Sequence, residues 1–185
     1  MKNIISIFAI FACLVLASCN AGQTDQQANS EGESNEETVG QSGVKDETSA
    51  PNIVQVAVGS KDHTTLVAAV KAASLVDALS NAGPFTVFAP TNAAFDKLPA
   101  GTVDGLLKPE KKADLQAILE YHTYVGNLKT EYMQNGQEYE TVNGARIKIT
   151  KEGDKIMVNG VATVIASIPT SNGIIHVIDA VLLPK

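Results

Sequence analysis

The chain has 185 residues, 44% of them hydrophobic, and carries 20 acids against 14 bases for a formal net charge of −6. That length supports one domain with a substantial core, and no cluster of Lys and Arg supplies the basic face that nucleic-acid binding requires. Two Cys, three His and no Trp leave little material for a disulfide framework, a metal cage or an indole platform.

Residues 1–18 are expected to be a signal segment outside the fold. Lys2 is a minimal positive start, and the apolar run over residues 4–17 is 14 residues long. A spanning helix needs roughly 20. The run ends in Leu16-Ala17-Ser18-Cys19, which resembles the lipobox of bacterial lipoproteins. That chemistry requires a thiol, because the Cys sulfur takes the diacylglyceryl group before the chain is cut in front of it. The resemblance implies lipidation of Cys19 and anchoring to a membrane through the attached acyl chains. Cys13 would leave with the signal, so no thiol would remain for a disulfide. Asn20 is not the retention residue of the enterobacterial rule. An extracytoplasmic place in the bacterial envelope, at the outer membrane or cell surface, is therefore expected.

Residues 20–50 are rich in Gln, Ser, Gly, Asn, Thr and Glu, and Val39 and Val44 are the large apolar side chains among them. Such a segment buries too little to offset chain entropy and is expected to be disordered. It holds seven acids against Lys45 alone, a net of −6, which leaves 13 acids and 12 bases for residues 51–185. The acidity belongs to the tether. A self-repelling tether stays extended and would hold the domain off the lipid.

In residues 51–185 the periodicity predicts a first helix over 52–58. A helical stretch over 64–79 follows, with Asp62 as its N-cap, broken into two by Ala72-Ala73-Ser74. Pro84 and Pro90 bracket a buried strand over 85–89, rich in the aromatic and β-branched residues that suit a pleated surface. Pro90 cannot donate to a ladder, so the chain should turn there into a short helix capped by Thr91 and closed by Pro99. A helical turn over 101–107 leads to a helix over 110–121 with Pro109 at its first position. Its apolar face is Leu115, Ile118 and Leu119.

Beyond Tyr121 the chain should leave the helix for a strand over 121–125, with one further turn over 130–134. From Glu138 the period falls to two. Strands are predicted over 139–142, 145–150, 155–158 and 163–168, joined at Asn143-Gly144, Glu152-Gly153-Asp154 and Asn159-Gly160. The last strand, over 173–184, is apolar on both alternating faces and should lie centrally. His176 and Asp179 are its polar exceptions, and each needs a hydrogen-bond partner.

Three stretches in this order resemble the signatures of the fasciclin-like domain. They are Thr86-Val87-Phe88-Ala89-Pro90-Thr91-Asn92-Ala93-Ala94-Phe95, the pair Tyr121-His122, and Thr170-Ser171-Asn172-Gly173 running on to Leu183-Pro184. The resemblance covers nearly all of residues 51–185. It implies an α+β fold, a wedge-like two-sheet β core with short helices packed at one side. It also makes Tyr121 and His122 candidate partner-binding residues, because the Tyr-His motif is implicated in adhesion by some animal members.

The residues themselves point to binding and not to catalysis. His63, His122 and His176 lack metal-ligand spacing, and no Gly-x-Ser-x-Gly elbow or glycine-rich phosphate cradle is present. His176 reads as a core histidine, and His63 as the first turn of an exposed helix. Glu138 and Glu140 sit on a solvated hairpin, and Tyr124, Tyr132 and Tyr139 are candidates for amphipathic contact area. No metal, cofactor or nucleic acid is expected. The expected function is adhesion or matrix binding, with a protein or polysaccharide surface partner. Carriage of a small apolar or carbohydrate ligand is the alternative.

Overall fold

The computed structural model describes residues 50–184. The signal segment, Cys19 and the tether before residue 50 lie outside the described residues.

Asn52 opens the first helix, α1 (Ile53–Gly59), through a capping box. Its side chain accepts from the Gln55 N–H, and the Gln55 side chain accepts from the Asn52 N–H, both at 2.9 Å. The next cap differs from the expectation. Ser60, and not Asp62, receives the N-terminal donor: its Oγ accepts from the Asp62 N–H at 3.3 Å and opens a 3-10 turn over Lys61–His63. This turn points Asp62 to solvent and rotates His63 inward, where only 6% of it is exposed. His63 is therefore buried, against the expectation of an exposed helix turn. The helices α2 (Thr64–Ala72) and α3 (Val76–Ser80) follow, separated at Ser74 by a positive φ of 58°.

The corner after Gly83 folds as the prolines dictate. β1 (Phe85–Pro90) ends on Pro90, and the Thr91 Oγ accepts from the Ala94 N–H at 3.2 Å to cap α4 (Asn92–Phe95). After α5 (Thr102–Leu106), Pro109 starts a 3-10 turn and not the helix itself, so α6 (Lys112–Tyr121) begins later than the predicted 110.

The strands are β2 (Thr123–Val125), β3 (Glu138–Glu140), β4 (Arg146–Glu152), β5 (Lys155–Val158), β6 (Ala162–Thr170) and β7 (Gly173–Ile178). Residues 130–134 form a turn closed by the Tyr132 N–H on the Lys129 carbonyl, without a helix. The strand order is β2-β1-β7-β6-β5-β4-β3, with β1 and β7 parallel and the other neighbours antiparallel. β7 is central and buried on both faces, as its apolar faces predict. Its pairing stops at Ile178, short of the predicted residue 184. There Asp179 exchanges hydrogen bonds with Thr163, accepting from its N–H and donating to its carbonyl.

β6 carries the chain from one half of the sheet to the other. It pairs with β5 only at Ala162 and Thr163, passes an irregularity at Val164/Ala166, and pairs with β7 to its end. The two ends of the strand order also meet. The Val142 N–H donates to the Thr123 carbonyl at 2.9 Å, and Tyr124 packs edge-on against Tyr139 with ring centroids 5.5 Å apart. The sheet is nearly closed, and with the helices on one side the architecture is α+β.

Two cores result. Val87 and Ala89 of β1 and Ile175 and Val177 of β7 face the helices, packing with Leu66, Leu115 and Leu119. Phe88, Ile178 and Leu182 face into the curled sheet with Met133, Ile147, Ile149 and Tyr121. Two asparagines lock segments together, Asn92 within the helical side and Asn172 between helices and strands. Asn92 Oδ1 accepts from the Thr65 N–H, and its Nδ2 donates to the Lys61 carbonyl. Asn172 Oδ1 accepts from the Ile53 N–H, its Nδ2 donates to the carbonyls of Leu79 and Asn81, and its own carbonyl accepts from the Phe85 N–H. Gly173 beside it cannot carry a side chain, because a Cβ there would fall on the Phe85 carbonyl.

Candidate functional site

The candidate pair Tyr121 and His122 sits where α6 gives way to β2, on the boundary between the two cores. The structure buries both side chains, at 4% and 3% exposure, and sends them in different directions.

His122 belongs to the frame. Its Nδ1 lies 2.8 Å from the Ile118 carbonyl, which can only accept, so Nδ1 carries the proton. Nε2 is then free to accept the Leu182 N–H at 3.0 Å. Both nitrogens are satisfied in the neutral ring. Burial disfavours the imidazolium and lowers the pKa from 6.5 to about 4, against a small opposing contribution from the Ile118 carbonyl. The ring ties the C-terminal segment to the end of α6.

Tyr121 turns to the sheet. Its hydroxyl donates to the Arg146 carbonyl at 3.2 Å and accepts from Asn159 Nδ2 at 2.8 Å. Asn159 is the key neighbour. It follows β5, where the chain has turned away from β4, and it replaces the missing strand. Its Oδ1 accepts from the Lys148 N–H at 2.8 Å, and its N–H donates to the Lys148 carbonyl at 2.7 Å. Asn159 and Gly160 hold positive φ of 55° and 66°, as a tight Asn-Gly turn demands. The gap between β4 and this turn is an open groove of about 480 Å³, lined by Tyr121, Arg146, Lys148, Thr150, Asn159 and Gly160. In the sequence Asn159-Gly160 reads as a hairpin turn alone, and no local signal marks its bond to Tyr121, 38 residues away.

The other sequence candidates fall as follows. Tyr132 is 62% exposed, whereas Tyr124 and Tyr139 pack on each other at the closing seam and are half-buried. Glu138 and Glu140 are exposed, and Glu138 makes a long 3.7 Å ion pair with Arg146. His176 is fully buried: Nε2 donates to the Leu128 carbonyl, and Nδ1 accepts from the Ser167 hydroxyl, both at 2.7 Å. This Ser–His contact lines none of the clefts described here. Ser60 and His63 form a second contact at 2.8 Å, but the Ser60 oxygen also serves as a cap, and His63 Nε2 is buried without a partner. Among the described residues, no group of three or more His, Cys, Asp or Glu comes together as a metal cluster.

Two apolar clefts flank His122 on the helical side. One lies between α1, α2, α3 and the sheet and encloses about 40 Å³; the other lies between α5, α6 and the C-terminal segment and encloses about 30 Å³. Each has room for about one water molecule, far below the roughly 300 Å³ at which small-molecule pockets begin.

Comparison with known proteins settles the family. The model of the Fasciclin domain matches residues 61–184. This chain belongs to the fasciclin domain family. It is 51% identical over 136 residues to Protein sll1483 of Synechocystis sp., covering 74% of this chain and 75% of that one. It is 42% identical over 111 residues to the cell surface glycolipoprotein MPB83 of Mycobacterium bovis, covering 60% of this chain and 48% of that protein. Human periostin is 39% identical over 124 residues, 66% of this chain and 15% of periostin. The solved FAS1 domain pair of the insect cell adhesion molecule Fasciclin I superposes with a TM-score of 0.65 at 20% identity, over 72% of this chain and 51% of that one. The fasciclin fold is thus shared, and the family includes proteins of the cell surface and of adhesion.

Proposed function

We propose that this protein is a lipid-anchored envelope protein whose fasciclin domain mediates adhesion or matrix binding. The observation that carries the proposal is the pairing, on one chain, of a fasciclin domain with the lipobox-like Leu16-Ala17-Ser18-Cys19. Cys19 would take the lipid, and the acidic segment over 20–50 would act as the spacer. MPB83, which pairs a fasciclin-related sequence with the description of a cell surface glycolipoprotein, supports the same arrangement. The domain's buried polar groups support a binding role and not a catalytic one. Tyr121, His122, Asn92 and Asn172 are committed to backbone partners, which leaves the outer loops and grooves for a partner. Carriage of an apolar ligand has less support, because the two apolar clefts hold about 40 and 30 Å³.

A deletion strain should attach less to surfaces and matrix materials than its parent. Normal attachment to every material tried would refute the adhesion role. Cys19→Ala should release the protein from membranes into the soluble fraction, and continued membrane residence would refute the lipid anchor.

A further inference from the structure

The groove between β4 and the Asn159-Gly160 turn has the features of a binding site, and its chemistry selects a class of ligand. Its volume of about 480 Å³ lies within the usual 300–1,000 Å³ of small-molecule sites. Arg146 and Lys148, two residues apart on β4, project to the same side of the strand and line the groove, and no acid lines it. The nearest paired acid, Glu138, reaches Arg146 at 3.7 Å with both side chains at least half exposed. So loose an ion pair leaves most of the guanidinium's five donors available. The Lys148 ammonium has no partner among the described residues. Glu138 and Glu140 of β3 stand opposite Lys148 and Arg146 across the ladder, so the positive excess is confined to the groove lining, which holds both cations and no acid.

We propose that this groove binds the carboxylate-bearing units of an acidic polysaccharide. The proposal rests on the adhesion reading above and names the class of partner. Arg146 would grip a uronate carboxylate with its planar fork, and Lys148 would supply a second positive charge. Thr150 presents a polar edge to sugar hydroxyls, whereas the Tyr121 hydroxyl and the Asn159 amide are engaged with each other and with β4 and shape the groove wall. The Tyr121 ring is buried, so recognition is by charge and hydrogen bonding and not by stacking.

An acidic peptide would satisfy the same charges, but the groove is closed to strand addition. Arg146 gives its carbonyl to Tyr121, and Lys148 gives both its N–H and its carbonyl to Asn159. The extended peptide mode needs such groups free. A saccharide, read through side chains, does not.

The test titrates the purified full chain in detergent with trigalacturonate, with neutral maltotriose and with a pentaglutamate peptide, by calorimetry. Trigalacturonate should bind at least tenfold more tightly than either control, and weaken when salt rises from 50 to 500 mM. R146Q/K148Q should weaken it at least tenfold, while E138Q leaves it equal or tighter. Thermal melting checks that each variant is folded, and K148Q alone serves if the double variant is not. Absent trigalacturonate binding, equal binding of maltotriose, or indifference to R146Q/K148Q would overturn the inference. Pentaglutamate binding as well as trigalacturonate would overturn the choice of a saccharide. Attachment assays separate the two proposals. If deletion abolishes attachment and R146Q/K148Q leaves it intact, the groove is refuted and the adhesion role stands.

Discussion

Asn172 and Asn159 perform the same task in two regions with different outcomes. Each follows or precedes a strand, each sits before a glycine, and each uses its side-chain amide to satisfy backbone groups that no strand or helix partner reaches. Asn172 is buried at 8% exposure and joins α1, the end of α3 and the start of β1. Nothing is left open around it, since Gly83 and Gly173 bring their backbones too close for a Cβ. Asn159 is half-buried and joins β4 to the end of α6, and a groove lies beside it. The amide that closes a ladder completely makes fold. The amide that patches one from the side leaves room for a ligand.

The largest expected effect is at the closed end. Asn172→Ala would strand one N–H and two carbonyls, each costing about 1–3 kcal/mol when buried unmade. The loss should reach about 4 kcal/mol or leave the chain unfolded, as read by urea denaturation. A loss under about 1 kcal/mol would mean that the knot is dispensable.

The next effect is set by pH on the same side of the molecule. His122 has a folded pKa of about 4 against 6.5 unfolded, so between these values the unfolded chain binds more protons and stability rises with pH. The contribution is fully present above about pH 6.5 and is lost as pH falls towards 4. One pKa unit is about 1.4 kcal/mol, so the loss should be about 2 kcal/mol by pH 5 and about 3 by pH 4. Burial lowers His176 in the same direction. Urea midpoints between pH 7 and 5 test this, and a flat profile would contradict it.

The groove side should give smaller changes. Asn159→Gly keeps the left-handed turn and removes the amide, at a cost of about 1 kcal/mol. Asn159→Ala should cost about 1 kcal/mol more, because a Cβ resists positive φ. Equal values for the two would show that the amide, and not the turn conformation, sets the cost. Arg146→Gln with Lys148→Gln should shift stability by less than about 0.5 kcal/mol, since both are exposed.

What the sequence discloses divides along the same line. The Pro90–Thr91 corner, the break after Ala72 and the two apolar faces of β7 are local patterns, and each could be read from the residues next to it. Asn172 meets Ile53 across 119 residues, and Asn159 meets Tyr121 across 38. Such pairings leave no trace in periodicity, so the asparagines read only as turn formers. His63 departs from the expected exposed turn for a smaller reason. A serine cap two residues upstream of Asp62 rotates the start of α2, and propensity alone ranks Ser and Asp equally as caps. The Tyr-His pair was found as a motif, but the opposite directions of its side chains depend on where β4 and the C-terminal segment lie.

The entry of the chain into the domain has a mechanical consequence. The Pro51 carbonyl accepts from the Ser171 N–H, and two residues later the Ile53 N–H is held by Asn172. A pull arriving along the chain at residue 50 is therefore delivered to the β6–β7 turn, beside the central strand, before α1 is loaded. With the chain anchored at Cys19 as proposed, the stapled entry would make tension a load on the sheet as a whole. The helices are spared until that staple shears.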